Sequence, residues 1–173
     1  DLAEALVTIQ NEQLAELCAR APQRLVPLGA IAMQHPALAV EQLRHMVNQL
    51  GFKGFEISSV IDGTELSDRK FDPVWAEAEA LGALIFIHPL GCSLNERLAP
   101  AYLSNSVGQP VEHAVALSHL IFGGVLDRHQ GLKVVAAHGG GYLPVHMGRC
   151  DHAWHQRSDA RTCEHLPSSY LKR

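Results

Sequence analysis

The stretch LKVVAAHGGGYLP, residues 132–144, contains the pattern that decides the fold. An apolar run leads to His138, three glycines follow, and a helical pattern begins at Tyr142. A continuous apolar run indicates a strand buried on both faces, as in parallel sheets covered by helices. The glycines permit positive φ and a close backbone approach, so a substrate could come near the strand end. They also suit a tight turn or a phosphate-binding turn.

The same strand–helix pattern recurs along the chain. Apolar runs predict four strands and amphipathic segments predict five helices, in the order helix 11–21, strand 24–33, helix 36–50, strand 51–58, a helix that begins at Asp68 or Asp72 and ends at 81, strand 83–88, helix 110–124, strand 132–138 and helix 142–154. Buried strands that alternate with helices predict a parallel sheet covered on both faces. This leaves a doubly wound sheet or a (β/α)₈ TIM barrel. Four strand–helix units are half of a barrel, which usually needs about 250 residues.

Composition narrows the class of protein. The chain has 173 residues, 47 % of them apolar, which predicts a single folded domain over residues 1–173. A net charge of −4 without a Lys/Arg cluster gives no reason to expect nucleic acid, and no apolar run approaches the roughly 18 residues that cross a membrane. The four cysteines share no C-x-x-C spacing, which favours reduced thiols in a cytoplasmic protein. Eleven histidines against fourteen Lys plus Arg raise the expectation of a metal site.

Two predicted strands end in the same way. The run IFIH ends on His88 and the run VVAAH ends on His138. Strand ends converge at the carboxyl rim of a parallel barrel, where reactive groups from different strands meet. Imidazole suits Zn²⁺ and also serves as a general base near neutral pH. A single strand-end histidine is more often structural, whereas two in equivalent positions favour a site.

Arg149 lies off the apolar stripe of the last predicted helix. That stripe comprises Leu143, Met147, Cys150 and Trp154. Arg149 should therefore project from another face, either as a solvated arginine or as a clamp for a carboxylate. A partner subunit is one place where such a clamp would act.

One long segment and four further histidines are weaker candidates for the site. The segment 91–109 is too long for an ordinary connection, and it is either a lid or a surface insertion containing a short helix. His152 and His155 read as surface residues. His113 and His119 are six residues apart on a predicted helix and should face different directions, so both are weaker candidates than the two strand-end histidines.

Several motifs together resemble the amidohydrolase-related family, typified by aminocarboxymuconate-semialdehyde decarboxylase. They are FIHP (86–89), SHLIFGGVLDRHQGLKVVAAHGGG (118–141), GRCDHAW (148–154) and PSSYLKR (167–173). The resemblance extends from about residue 11 onward. It implies a (β/α)₈ barrel with one divalent metal ion, usually zinc, at its carboxyl rim.

The resemblance also implies roles for three residues. His88 corresponds to a metal ligand, His138 to the acid/base beside the metal, and Arg149 to an arginine that binds a substrate carboxylate in a neighbouring subunit, which implies a homodimer. The family's H-x-H pair and its strand-end aspartate ligand are absent from the sequence. The chain is therefore expected to be a central fragment, a partial barrel of about four units that is inactive on its own.

The leading functional hypothesis concerns the parent protein. It is a metal-dependent, non-oxidative decarboxylase, a carbon–carbon lyase, of a small unsaturated or aromatic carboxylic acid. One alternative is a hydrolase of a lactone, ester or amide that uses the same site. Another is a non-catalytic barrel fragment that acts only in assembly. A nucleotide-binding domain is less favoured because neither G-x-G-x-x-G nor G-x-x-x-x-G-K is present.

Overall fold

Short parallel strands and longer helices alternate along the chain. The computed structural model describes residues 2–172, and it includes the side chains of all of these except residues 95 and 172. In chain order the elements are α1 (Leu2–Ala19), β1 (Leu28–Ala30), α2 (Pro36–Asn48), β2 (Gly54–Ile57), β3 (Val60–Ile61), β4 (Thr64–Glu65), α3 (Asp72–Leu81), β5 (Leu84–Ile87), α4 (Gln109–Phe122), α5 (Val125–Arg128), β6 (Lys133–Ala136) and α6 (Leu143–Gln156).

The order of the strands distinguishes the two architectures. The main sheet has the order β1-β2-β5-β6, and β1 pairs with β2 in parallel, with Leu28 opposite Gly54. Spatial order therefore follows chain order, as in a barrel, whereas a doubly wound sheet reverses its order at a switch point. The prediction of a partial (β/α)₈ barrel is confirmed. An antiparallel hairpin, β3–β4, was not predicted because each of its strands is only two residues long.

Several predicted boundaries were wrong. Strand 24–33 contracts to β1, because Pro27 immediately before it has no N–H to donate to a ladder. Helix 11–21 instead begins at Leu2, where Ala, Glu and Leu favour a helix without forming a clear apolar stripe. Strand 132–138 ends at Ala136, because His138 has a positive φ of 51° that no strand accommodates.

The chain divides into two compact units. The first comprises residues up to 57, 69–86 and 131–135, and the second comprises 58–68, 87–130 and the residues from 136 onward. The single domain expected from composition stays a prediction. None of the helices in the described part of the chain combines the length and the hydrophobicity that a membrane crossing requires.

The first unit contains the sheet and α1–α3. The apolar faces of α2 and α3 are buried, and Leu43, Trp75 and the strand residue Phe55 are each at most 1 % exposed. Asn11 of α1 bonds the edge strand twice, because its amide donates to the carbonyl of Ala30 and accepts from that residue's N–H, both at 2.9 Å. A side chain thus satisfies backbone groups that an edge strand would otherwise leave open.

The second unit is organised around α4 and α6. Leu143 and Met147 are buried against Ile121 of α4, as the apolar stripe of the last helix predicted. The C-terminal segment closes this core, since the hydroxyl of Tyr170 donates to the carboxylate of Asp127. Burial raises the pKa of Tyr170 most, and this hydrogen bond raises it further. The phenol therefore stays protonated and remains a donor.

Gly54 allows a test of the sheet, because a methyl group there would lie 2.0 Å from the carbonyl oxygen of Leu84. We expect Gly54→Ala to lower the free energy of unfolding by about 1–3 kcal/mol, since backbone must move to admit the side chain. Gly148 in α6 is the matched control, because nothing lies within 4 Å of a Cβ built there. Gly148→Ala should stabilise the helix by about 0.5–1 kcal/mol. Urea denaturation of both variants measures the difference, and equal stabilities would contradict the packing.

Candidate active site

Three imidazoles lie together in the second unit. His88 directly follows β5, His138 lies in the turn after β6, and His113 is on α4. The ring centroid of His138 is 5.0 Å from that of His88 and 5.1 Å from that of His113. The structure therefore brings together the two strand-end histidines that the sequence singled out, and it adds a third.

The backbone that presents His138 is left-handed over four consecutive residues. His138, Gly139, Gly140 and Gly141 have φ values of 51°, 64°, 77° and 66°. A non-glycine residue in this region costs of the order of 1 kcal/mol, although histidine tolerates it better than most residues. The surrounding structure must therefore stabilise the conformation that directs this imidazole.

Gly141 shows where that stabilisation comes from. A Cβ at this position would lie 2.0 Å from the carbonyl oxygen of Pro110 and 3.1 Å from Cβ of His113. The turn therefore packs directly on the first turns of α4. Close packing accounts for this glycine, whereas the sequence alone left a tight turn, substrate access and phosphate binding open.

His113 is the residue that sequence reasoning missed. Its side chain is fully buried, and its Nε2 lies 3.0 Å from Nδ1 of His138. Burial is the main cause that lowers the pKa of His113, and positive charge on His138 and His88 would lower it further, to about 4. His113 is therefore neutral at pH 7. A signal was present in the sequence, because His113 shares the buried face of α4 with Ala116 and Leu120 at i+3 and i+7.

Glu112 holds the start of the long 91–109 segment. Glu112 is 6 % exposed, and its carboxylate accepts hydrogen bonds from the N–H and the hydroxyl of Ser93, at 2.7 and 2.5 Å. The Ser59 hydroxyl donates to the other carboxylate oxygen at 3.5 Å. The segment then contains short turns and a π-helical stretch, Ser104–Gly108, that leads into α4. The expected short helix is present, and a lid function stays a prediction.

The remaining candidates are exposed residues of α6. Arg149 is exposed on α6, on a face different from the buried Leu143 and Met147. His152 and His155 are also exposed, as predicted. The structure thus leaves Arg149 directed towards solvent.

Known proteins resemble this chain in sequence. The amidohydrolase family matches residues 1–172, so the chain belongs to that family. The chain is 37 % identical over 159 residues to 2-amino-3-carboxymuconate-6-semialdehyde decarboxylase of Dictyostelium discoideum, covering 92 % of this chain and 43 % of that protein. It is 35 % identical over 160 residues to γ-resorcylate decarboxylase of Rhodococcus jostii strain RHA1, covering 83 % of this chain and 48 % of the relative.

A solved structure supports the same relationship. The 5-carboxyvanillate decarboxylase of Novosphingobium aromaticivorans, complexed with manganese and 4-hydroxy-3-methoxy-5-nitrobenzoic acid, superposes with a TM-score of 0.90 at 28 % identity. The match covers 99 % of this chain and 52 % of that protein. The chain thus spans about half the length of the relatives that it matches.

The described residues include donor groups of the type that binds a divalent metal ion, but too few of them lie together to hold one. Within residues 2–172, no group of three or more His, Cys, Asp or Glu side chains is arranged to hold a metal ion. Nδ1 of His88 lies 3.1 Å from the carbonyl oxygen of Pro89, and a proton shared there would make Nε2 the coordinating nitrogen. Nδ1 of His138 contacts His113 instead. The role of His88 as a metal ligand therefore stays a prediction.

The lowered pKa of His113 predicts a dependence of stability on pH. In the unfolded chain His113 becomes protonated below its ordinary pKa of 6.5, whereas in the folded chain it becomes protonated only near pH 4. The free energy of unfolding therefore falls as the pH falls from 6.5 to about 4. Between pH 7 and pH 5, we expect the wild type to lose up to about 2 kcal/mol more than His113→Leu. Urea denaturation at each pH measures this. The difference in free energy of unfolding between the two proteins should stay constant above pH 7. A difference that also stays constant down to pH 5 would contradict the lowered pKa of His113.

Proposed function

We propose that the protein containing this chain is a metal-dependent, non-oxidative decarboxylase, a carbon–carbon lyase. Its substrate would be a small unsaturated or aromatic carboxylic acid. One observation carries the proposal: His138, in a strained left-handed turn, lies between His88 and the buried His113. Strain of this kind clusters at functional sites, and three decarboxylases resemble this chain, two of them in sequence and one in fold.

His138 is the proposed acid/base of the reaction. It donates a proton to the substrate carbon that bears the carboxylate, and the electron pair of the breaking C–C bond restores the π system as CO₂ leaves. Its position supports this role, because the glycines that follow leave no side chain to block approach to the imidazole.

His88 is the proposed metal ligand, together with residues outside the 173 of this chain. When bound, the ion would supply Lewis-acid polarisation of the substrate's oxygen atoms. The imidazole donor favours zinc, whereas the related 5-carboxyvanillate decarboxylase is complexed with manganese. Metal analysis of the full-length protein after purification without added metal decides between these ions.

Arg149 is the proposed clamp for a substrate carboxylate in the neighbouring subunit of a homodimer. Its exposure on a face other than the buried stripe supports a role outside its own core. We also propose a cytoplasmic location, because the four cysteines are free thiols and burial raises the pKa of Cys150 and Cys163, which keeps them unreactive.

The proposed role of His138 predicts the effect of its removal. In the zinc-loaded full-length protein, His138→Ala should lower the rate of CO₂ release at least about a hundredfold, since general acid catalysis contributes about 10²–10⁴. His45→Ala, at an exposed position on α2, is the control and should leave the rate unchanged. Release of CO₂ and the carbon skeleton of the product are measured together. Turnover in which the substrate keeps its carboxyl carbon would indicate hydrolysis instead, and normal decarboxylation by His138→Ala would refute the role.

The proposed role of Arg149 predicts complementation between subunits. Arg149→Ala and His138→Ala homodimers should each be nearly inactive, because each lacks one component of every site. After subunits are exchanged at a 1:1 ratio, half of the dimers are mixed and each mixed dimer has one intact site, so about a quarter of the wild-type activity should return. No recovery, with mixed dimers demonstrated by differential tags, would place Arg149 in its own subunit's site or outside any site.

A further inference from the structure

The chain segments that carry the two strand-end imidazoles meet on the first turn of α4. The turn that contains His138 packs on this helical turn through Gly141. The segment that begins at His88 is bonded to it through Ser93, whose N–H and hydroxyl both donate to the carboxylate of Glu112. The two imidazoles, whose ring centroids are 5.0 Å apart, are therefore supported from the same short stretch of helix.

Glu112 also reaches the loop after β2. The hydroxyl of Ser59, a residue that is 3 % exposed, donates to the second carboxylate oxygen at 3.5 Å. The neighbouring Ser58 accepts a hydrogen bond from the N–H of Leu90 at 3.4 Å. Because Leu90 follows His88 by two residues, the chain after this imidazole is bonded first to the β2 loop and then to Glu112.

The partners of this buried carboxylate are neutral. In the described part of the chain, Glu112 is bonded to two serines and to no cation. Burial of a carboxylate without a cation is costly, and an apolar side chain of similar volume often serves stability as well. Ser93, the nearer partner, is exposed, so water can replace the carboxylate as its acceptor. Glu112 therefore contributes more to the position of the chain than to the stability of the fold.

We propose that Glu112 is a positioning residue, whose carboxylate fixes the chain after His88 relative to the turn that carries His138. The hydrogen bonds of Glu112 do not depend on the reaction, whereas the effect of this geometry on turnover rests on the proposed decarboxylase function. Glu112 does not contact the substrate in this proposal. It acts through the relative position of the two imidazoles.

Hydrogen exchange of the zinc-loaded full-length protein tests the contact itself. Mass spectrometry measures amide exchange in the peptide that contains Ser93. We expect this amide to exchange about tenfold faster or more in Glu112→Leu, since a hydrogen bond to a charged group protects by about this factor. Glu112→Gln should stay near the wild type, because its carbonyl oxygen can accept both Ser93 donors and its amide can donate to Ser59. Unchanged exchange in Glu112→Leu would overturn the proposal.

Steady-state kinetics of CO₂ release test whether this position matters for turnover. We expect Glu112→Leu to lower kcat about tenfold or more with little change in KM, because a misplacement of about 1 Å can cost about a hundredfold in rate. Glu112→Gln should recover most of the loss. If Glu112→Leu keeps the wild-type kcat although the Ser93 amide exchanges faster, the contact is structural only and the proposal is overturned.

Glu79→Leu is the matched control for a purely structural loss. Glu79 of α3 also accepts a backbone N–H, from Gly131 at 2.5 Å, but Gly131 precedes β6, whereas His138 follows the other end of that strand. This variant should be less stable in urea and keep the wild-type kcat. An equal fall in kcat in Glu79→Leu and Glu112→Leu would show that destabilisation, and not position, lowers the rate, which would overturn the proposal.

A milder variant covers the case in which Glu112→Leu does not fold. Ser93→Ala removes the hydroxyl donor and keeps the N–H, so faster exchange and a lower kcat should both appear at a smaller size. No change in either would then overturn the proposal.

The two proposals fail in different ways. Protection of the Ser93 amide that depends on Glu112, in a wild type that releases no CO₂, would refute the decarboxylase function alone. Release of CO₂ at an unchanged rate by Glu112→Leu would refute the role of Glu112 alone.

Discussion

The backbone of Gly141 lies so close to the carbonyl oxygen of Pro110 that a single additional carbon atom would not fit between them. This approach brings the turn after β6 onto the first turns of α4, and the geometry of the candidate site depends on it. The turn directs His138 from a left-handed backbone, and α4 directs His113 to meet it. The local strain at His138 is offset by the packing and hydrogen bonding that this approach permits.

The first turns of α4 organise more than one segment. Glu112 bonds the start of the 91–109 segment through Ser93, while the next residue, His113, bonds the turn that carries His138. Both side chains are almost completely buried, and buried polar groups are costly unless they are paired. Pairing of Glu112 therefore supports one definite position for the start of this segment, and the imidazole pair supports one definite orientation of the candidate catalytic ring.

The chain belongs to the amidohydrolase family and spans about half the length of the relatives that it matches. Its part of the site consists of imidazoles, of which His88 is the proposed metal ligand and His138 the proposed acid/base. One imidazole holds a divalent ion weakly, since structural and catalytic zinc sites use three or four protein ligands. The described residues thus include the proposed acid/base, His138, but only one proposed metal ligand, His88.

The sequence by itself determined the alternation of strands and helices, the buried face of α6, the position of Arg149 off that face and the family. These features follow from apolar periodicity and short motifs, which are local. Tertiary structure alone decided that β6 ends before His138 and that His113 bonds a residue 25 positions away. A histidine within an apolar face looks like an ordinary core position until the partner is in place.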